Sequence, residues 1–152
     1  MKPEYKQEFL HTCKDDAKEL LEMHYDEIAL NKDKIKLNPD WESYHTLEEL
    51  GKLSIFTVRD NGKLVGYFVL LVSNSLHHAD HVYAINDIIY VHPDYRKGFL
   101  GIRLIKFAES CLKKDGVSII MINTTMHKDF GKILSRIGYN PIETVHSKYI
   151  GE

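Results

Sequence analysis

The sequence predicts a mixed α/β fold in which an antiparallel meander is followed by a helical crossover to a parallel strand. Three observations carry the prediction. Apolar residues recur at helical spacing over residues 12–31 and 98–114. A strand-like pattern flanks Asn61-Gly62, a dipeptide suited to a two-residue hairpin. A short apolar run, VSIIMINT at 117–124, follows the second long helix and so belongs parallel to the strand before that helix.

Residues 2–11, KPEYKQEFLH, are ambiguous, with a first strand as one reading. A helix is predicted from Thr12 to Asn31, because Ala17, Leu20, Leu21, His24 and Ile28 make one face. Thr12 is placed to cap it, with Asp15 in the first turn. NKDKIKLNPDW is a loop, and ESYHTLEELG a short helix ended by Gly51. KLSIFTVRD and KLVGYFVLLVSN form the hairpin, LHHAD is a loop, and HVYAINDIIYVHP is the third meander strand, stopped by Pro93. The long helix runs from Gly98 to Lys114 with Gly116 as its stop. KDFGKILSRIG is a short helix that puts Phe130, Ile133, Leu134 and Ile137 on one face. YNPIETVHSKYI is predicted to close the fold as a strand or hairpin.

The 152 residues, 43% of them apolar, suit a single domain spanning 1–152. Net charge is −2, and nucleic-acid binding is not expected. Residues 1–60 are net acidic and the remainder net basic, which fits a small anionic ligand held by the second half. Cys13 and Cys111 form no CxxC pair, so a reducing, cytoplasmic setting is expected. The start, MKPEYKQEF, lacks the apolar core of a signal peptide, and VGYFVLLV is too short to span a bilayer.

One junction stands out. A strand ends in Val91-His92-Pro93, and Arg96, Lys97, Gly98 and Gly101 follow where a helix begins. A helix N-terminus carries unpaired N–H groups and partial positive charge, and glycine lets backbone approach a ligand closely. Arg96 and Lys97 add charge-assisted contacts, so the turn suits a phosphate. It matches neither GxxxxGK[ST] nor a GxGxxG that opens a βαβ unit. Glycines used only for close packing are the structural alternative, and a nucleotide phosphate is a second possible guest.

The stretch IIYVHPDYRKGFLGIRLIKFAE resembles the signature of the GNAT superfamily, the acyl-CoA-dependent N-acyltransferases. Two early helices, a meander, the signature helix, strand, helix and closing strand follow the family's order, and RIGY at Arg136–Tyr139 matches its end-of-helix motif. The resemblance implies acetyl-CoA as cosubstrate, with its phosphates at Arg96, Lys97, Gly98, Phe99, Leu100, Gly101 and Ile102. It implies that the splayed strand at Ile89, Tyr90 and Val91 bonds the pantetheine arm, and that Asn123 contacts CoA. Two features depart from the family. Arg96, Gly98 and Gly101 read R-x-G-x-x-G rather than R-x-x-G-x-G, with Phe99 at the usual first glycine. Leu134 stands where many members carry the tyrosine that reprotonates the thiolate.

Direct transfer to an amine needs a base, because an alkylamine is largely protonated at neutral pH. Asp87 is the first candidate. Alternation along AINDIIYV places Ile85, Asp87, Ile89 and Val91 on one face, where a carboxylate is costly unless paired or functional. His24, on the apolar stripe of the first helix, is a second candidate base or a hydrogen-bonded core residue. Tyr25 and Glu27 neighbour it and are candidates for contact with the substrate. His127 or Tyr139 can replace the missing acid. Trp41 and Tyr44 wall the acceptor side by family resemblance, or simply pack. His77 and His78, with His81, form HHADH, a loop that lines the acceptor pocket or is solvated; no metal is expected. The function expected is acetyl transfer from acetyl-CoA to a primary amine on a small molecule or peptide, with no acyl-enzyme. The alternative is a catalytically silent acyl-CoA sensor. A homodimer fits the family resemblance, and no membrane partner is expected.

Overall fold

A computed structural model describes residues 1–152. The chain builds β1 (Pro3–Gln7), α1 (Leu10–Ile28), α2 (Trp41–Glu49), β2 (Leu53–Asp60), β3 (Lys63–Asn74), β4 (Val82–Val91), α3 (Leu100–Lys114), β5 (Val117–Met121) and α4 (Gly131–Arg136). Short 3₁₀ turns occupy Pro93–Tyr95 and Met126–Lys128. The five strands form one sheet in the order β1-β2-β3-β4-β5. β2 to β4 pair antiparallel and β5 joins β4 in parallel after the α3 crossover, as the sequence predicts, and β1 adds an antiparallel edge beside β2. At the hairpin Asn61 and Gly62 both have positive φ, 50° and 84°, which matches the right-handed twist of the flanking strands.

Helices cover both faces of the sheet, which explains why β3 is apolar along almost its whole length. Phe68 and Leu70 point toward Leu104 and Ala108 of α3. Tyr67 and Val69 point the other way, toward Leu20 of α1. At Gly66 a Cβ would lie 2.9 Å from Val58 Cγ1 and 3.1 Å from the Tyr90 carbonyl, so only glycine fits this close crossing. No helix is long and apolar enough to cross a membrane.

Several predicted boundaries move. α1 begins at Leu10, so Thr12 lies inside the first turn and cannot cap it; its hydroxyl donates to the Phe9 carbonyl at 2.8 Å. The Leu10 N–H is instead satisfied by Glu48 of α2 at 2.8 Å. α3 starts at Leu100 and leaves Gly98 in the preceding turn. β5 stops at Met121. Residues 139–152 form no strand, contrary to expectation. Ile142 and Val145 are three apart and would face opposite sides of a strand, and Pro141 lacks a ladder donor. The tail instead reaches the α1–α2 loop, where Lys34 Nζ sits 4.5 Å from the centre of the Tyr149 ring.

α1 is tied to the sheet by a buried ion cluster. Arg59 of β2, 8% exposed, donates to Glu8 at 3.0 Å through both Nε and Nη2, and to Asp16 at 2.8 Å. Thr57 also donates to Glu8. Burial alone would raise the Glu8 carboxyl, but Arg59 and Thr57 outweigh it and hold it below its usual range. Glu8→Ala leaves a buried guanidinium without its main partner and should cost about 3–5 kcal/mol in urea denaturation. Asp16→Ala, at a half-exposed partner, should cost less than about 1 kcal/mol.

Candidate active site

β4 has neighbours on both sides for only part of its length. Its pairing with β5 runs from Val82↔Val117 to Ile85↔Met121 and stops, while β4 continues to Val91. At the parting point the Asn86 side-chain oxygen accepts the Asn123 N–H at 2.6 Å, which occupies that amide. On the other side β3 stays paired as far as Gly66↔Val91. The His92 N–H donates to the Val65 carbonyl at 2.8 Å. By the alternation of an antiparallel ladder, Val91 and Ile89 then aim their backbone groups at the open edge. The Val91 carbonyl accepts from Arg96 Nε at 2.9 Å, which agrees with this placement.

The open edge leads into the glycine turn. Gly98 has φ +93°, a conformation that L side chains rarely adopt. A Cβ on Gly101 would meet only Val91 Cγ2, at 3.8 Å, so the space in front of it is free. The α3 N-terminus has no side-chain cap and no acid in its first turn. Leu100 buries its side chain in the core and anchors the turn, while Phe99 is 65% exposed beside it. Lys97 is exposed and Ile102 half-buried.

Arg96 turns inward. It grips Glu27 of α1 through two bonds of 2.6 and 2.7 Å and lies 5.0 Å from the centre of the Tyr90 ring. Hydrogen bonding to Arg96 is the main reason that the Glu27 carboxyl falls to about 2. Glu27 lies 69 residues from its partner, so spacing alone gives no signal for the pair.

Asp87 stands on a β-bulge. Val69 pairs with Ile88 and Leu70 with Asn86, which leaves Asp87 without an opposite residue. The bulge breaks the predicted alternation. Ile89 and Val91 pack on the α3 side. Asp87 instead meets α2, where the Tyr44 hydroxyl donates to its carboxylate. Burial, then Asp87, pushes the Tyr44 pKa up, so Tyr44 stays a phenol. Trp41 lies 6.1 Å from Tyr44 between ring centres. His24 Nδ1 is 2.9 Å from the Tyr67 hydroxyl, and its ring stacks on Tyr90 at 4.6 Å. Burial lowers the His24 pKa to about 4.

The remaining candidates are scattered. The Tyr25 hydroxyl donates to the Ile35 carbonyl at 2.6 Å and so ties down the α1–α2 loop. His77 and His78 are exposed in the loop before β4, beyond the strand's first residue, Val82. In the same segment His81 Nδ1 lies 3.0 Å from Ser118 Oγ of β5. No group of His, Cys, Asp and Glu converges to hold a metal. His127 is exposed on the turn after β5. Leu134 is buried, and Tyr139 packs against the same core. Cys13 is buried and its thiol is pushed up to about 12, which keeps it unreactive.

The family model described as the Acetyltransferase (GNAT) family matches residues 14–133. No curated protein matches the sequence. Solved structures share the fold at low identity. A glucosamine-6-phosphate N-acetyltransferase from Arabidopsis thaliana is 13% identical, with a TM-score of 0.73, over 99% of this chain and 100% of that one. A ribosomal-protein-alanine N-acetyltransferase from Brucella melitensis biovar Abortus 2308 is 18% identical at 0.71, over 99% and 100%. An aminoglycoside acetyltransferase from an uncultured soil metagenomic sample is 15% identical at 0.76, over 99% and 97%. With its meander, its helical crossover and the strand that parts from its neighbour at the glycine turn, this chain belongs to the GNAT acetyltransferase family.

Proposed function

We propose that the protein transfers an acetyl group from acetyl-CoA directly to a primary amine. The observation that carries this is the continuity of the unpaired β4 edge with the uncapped turn at Gly98–Gly101, where a Cβ on Gly98 or Gly101 would meet little or nothing. Backbone at Ile89 and Val91 holds the extended pantetheine arm as an added strand would be held. The N–H groups of the turn, with Lys97 beside them, take the phosphates. Arg96 contributes chiefly by holding Val91 and α1 in place. The structural neighbours' acceptors are an aminosugar phosphate, a protein alanine and aminoglycosides, so amine acceptors of several classes are compatible with this fold.

Asp87 is the proposed base. As the amine nitrogen bonds to the thioester carbon, the C–S bond breaks and the ammonium proton passes to Asp87, directly or through water. A backbone N–H on the open edge stabilises the developing oxyanion. With Leu134 unable to donate, His127 is the proposed proton source for the departing sulfur. His24 is suited to a positioning role, because a buried imidazole with a pKa near 4 is a weak base at neutral pH.

Three outcomes are expected. Isothermal titration should show acetyl-CoA binding to the wild type and its loss in Gly101→Trp, whose side chain fills the free space at the turn. In a thiol-release assay with amine acceptors, Asp87→Asn should lower kcat by about 10²–10⁴-fold while acetyl-CoA still binds. Binding without transfer to any amine would favour the silent sensor instead. Finally, His24 has a depressed folded pKa, so its contribution to stability is complete above its ordinary 6.5 and is lost as pH falls toward about 4. Thermal unfolding across that window should show the loss in the wild type and a reduced loss in His24→Phe.

A further inference from the structure

Between α1, α2 and the β2–β4 face of the sheet lies a cavity of about 370 Å³. Of the 21 residues lining it, 16 are hydrophobic. The only charged residues in its wall are Lys14 and Lys36, and no carboxylate lines it. The α1–α2 loop covers one side. Three loop residues that line the cavity, Leu30, Ile35 and Leu37, are still 62%, 51% and 40% exposed. The loop is nonetheless held down by the Tyr25 hydroxyl bond to Ile35. These side chains therefore present apolar surface that a guest would cover. At the far wall Tyr44 lines the cavity and donates its hydroxyl to Asp87, the proposed base, while the other carboxylates behind the wall are already held, Glu8 by Thr57 and Arg59 and Glu48 by the Leu10 N–H.

The geometry points to an acceptor of one class: a monoamine whose apolar body occupies this cavity while its amino group sits at Asp87. This rests on the acetyl-transfer reading above. An apolar wall gains from each methylene or ring carbon removed from water. Lys14 and Lys36 repel a second positive charge, which disfavours polyamines. A carbohydrate would leave its hydroxyls without partners here. Asp87 is the group that favours an ammonium at one end, which separates this occupant from a fatty acyl chain.

Trp41, the sole tryptophan, lines the cavity and reports its occupancy. The full-length protein is titrated by Trp41 fluorescence with 2-phenylethylamine, spermidine and octanoyl-CoA, each with and without CoA present. The expected result is a saturable change with 2-phenylethylamine alone. Leu37→Asp, on the exposed loop, and Ala17→Phe, which fills the cavity, should each weaken that binding by about tenfold or more. No response to 2-phenylethylamine, an equal response to spermidine, a response to octanoyl-CoA instead, or unchanged affinity in Leu37→Asp would each overturn the inference. The titration needs no acetyl transfer. Binding of 2-phenylethylamine by a protein that does not bind acetyl-CoA sinks the transfer reading. Acetyl transfer confined to polyamines sinks the cavity inference alone.

Discussion

The site depends on one constraint: β4 is bonded on both sides up to Ile85 and on one side from there to Val91. A strand that loses a neighbour inside a domain leaves backbone donors and acceptors unsatisfied, which is costly unless something else pairs with them. Here Asn86 bridges to Asn123 at the point of parting, and Arg96 takes the Val91 carbonyl at the far end. The stretch between them has no strand beside it on that edge. The bulge at Asp87 lies within this interval, so the strand's irregularity and its carboxylate are one feature.

Much of the remaining architecture holds that open strand still. α1 is pinned to the sheet at one end by Arg59 with Glu8 and Asp16. At its other end Glu27 grips Arg96, and His24 stacks on Tyr90 and hydrogen-bonds the Tyr67 hydroxyl. α1 thus spans from β2 to the glycine turn and walls the cavity between them. Leu100 does the same from the opposite face by sinking its side chain among the α3 core residues while its backbone belongs to the turn. Rigid elements on both faces therefore position a site made largely of backbone.

The parts legible in the sequence were those set by local chemistry. Hairpin, meander, crossover and glycine turn all follow from period and turn residues within a short window. What escaped was set across the chain. The face taken by Asp87 depends on a register shift against Val69 and Leu70, which alternation within its own strand cannot show. The pairing of Arg96 with Glu27 joins residues 69 apart, which no local spacing shows. Thr12 loses its capping place to Glu48, a partner supplied by a different helix. The tail was expected to close the fold as a strand or hairpin, although its three-residue apolar spacing does not suit one face of a sheet.

The account stands on backbone at the open edge and the turn being the acetyl-CoA site. Hydrogen–deuterium exchange with and without acetyl-CoA tests this most directly. The account predicts new protection concentrated in residues 86–102, strongest at Ile89, Val91 and the turn amides, with β1 and β2 unchanged. Protection confined to other elements, or none at saturating acetyl-CoA, would contradict it.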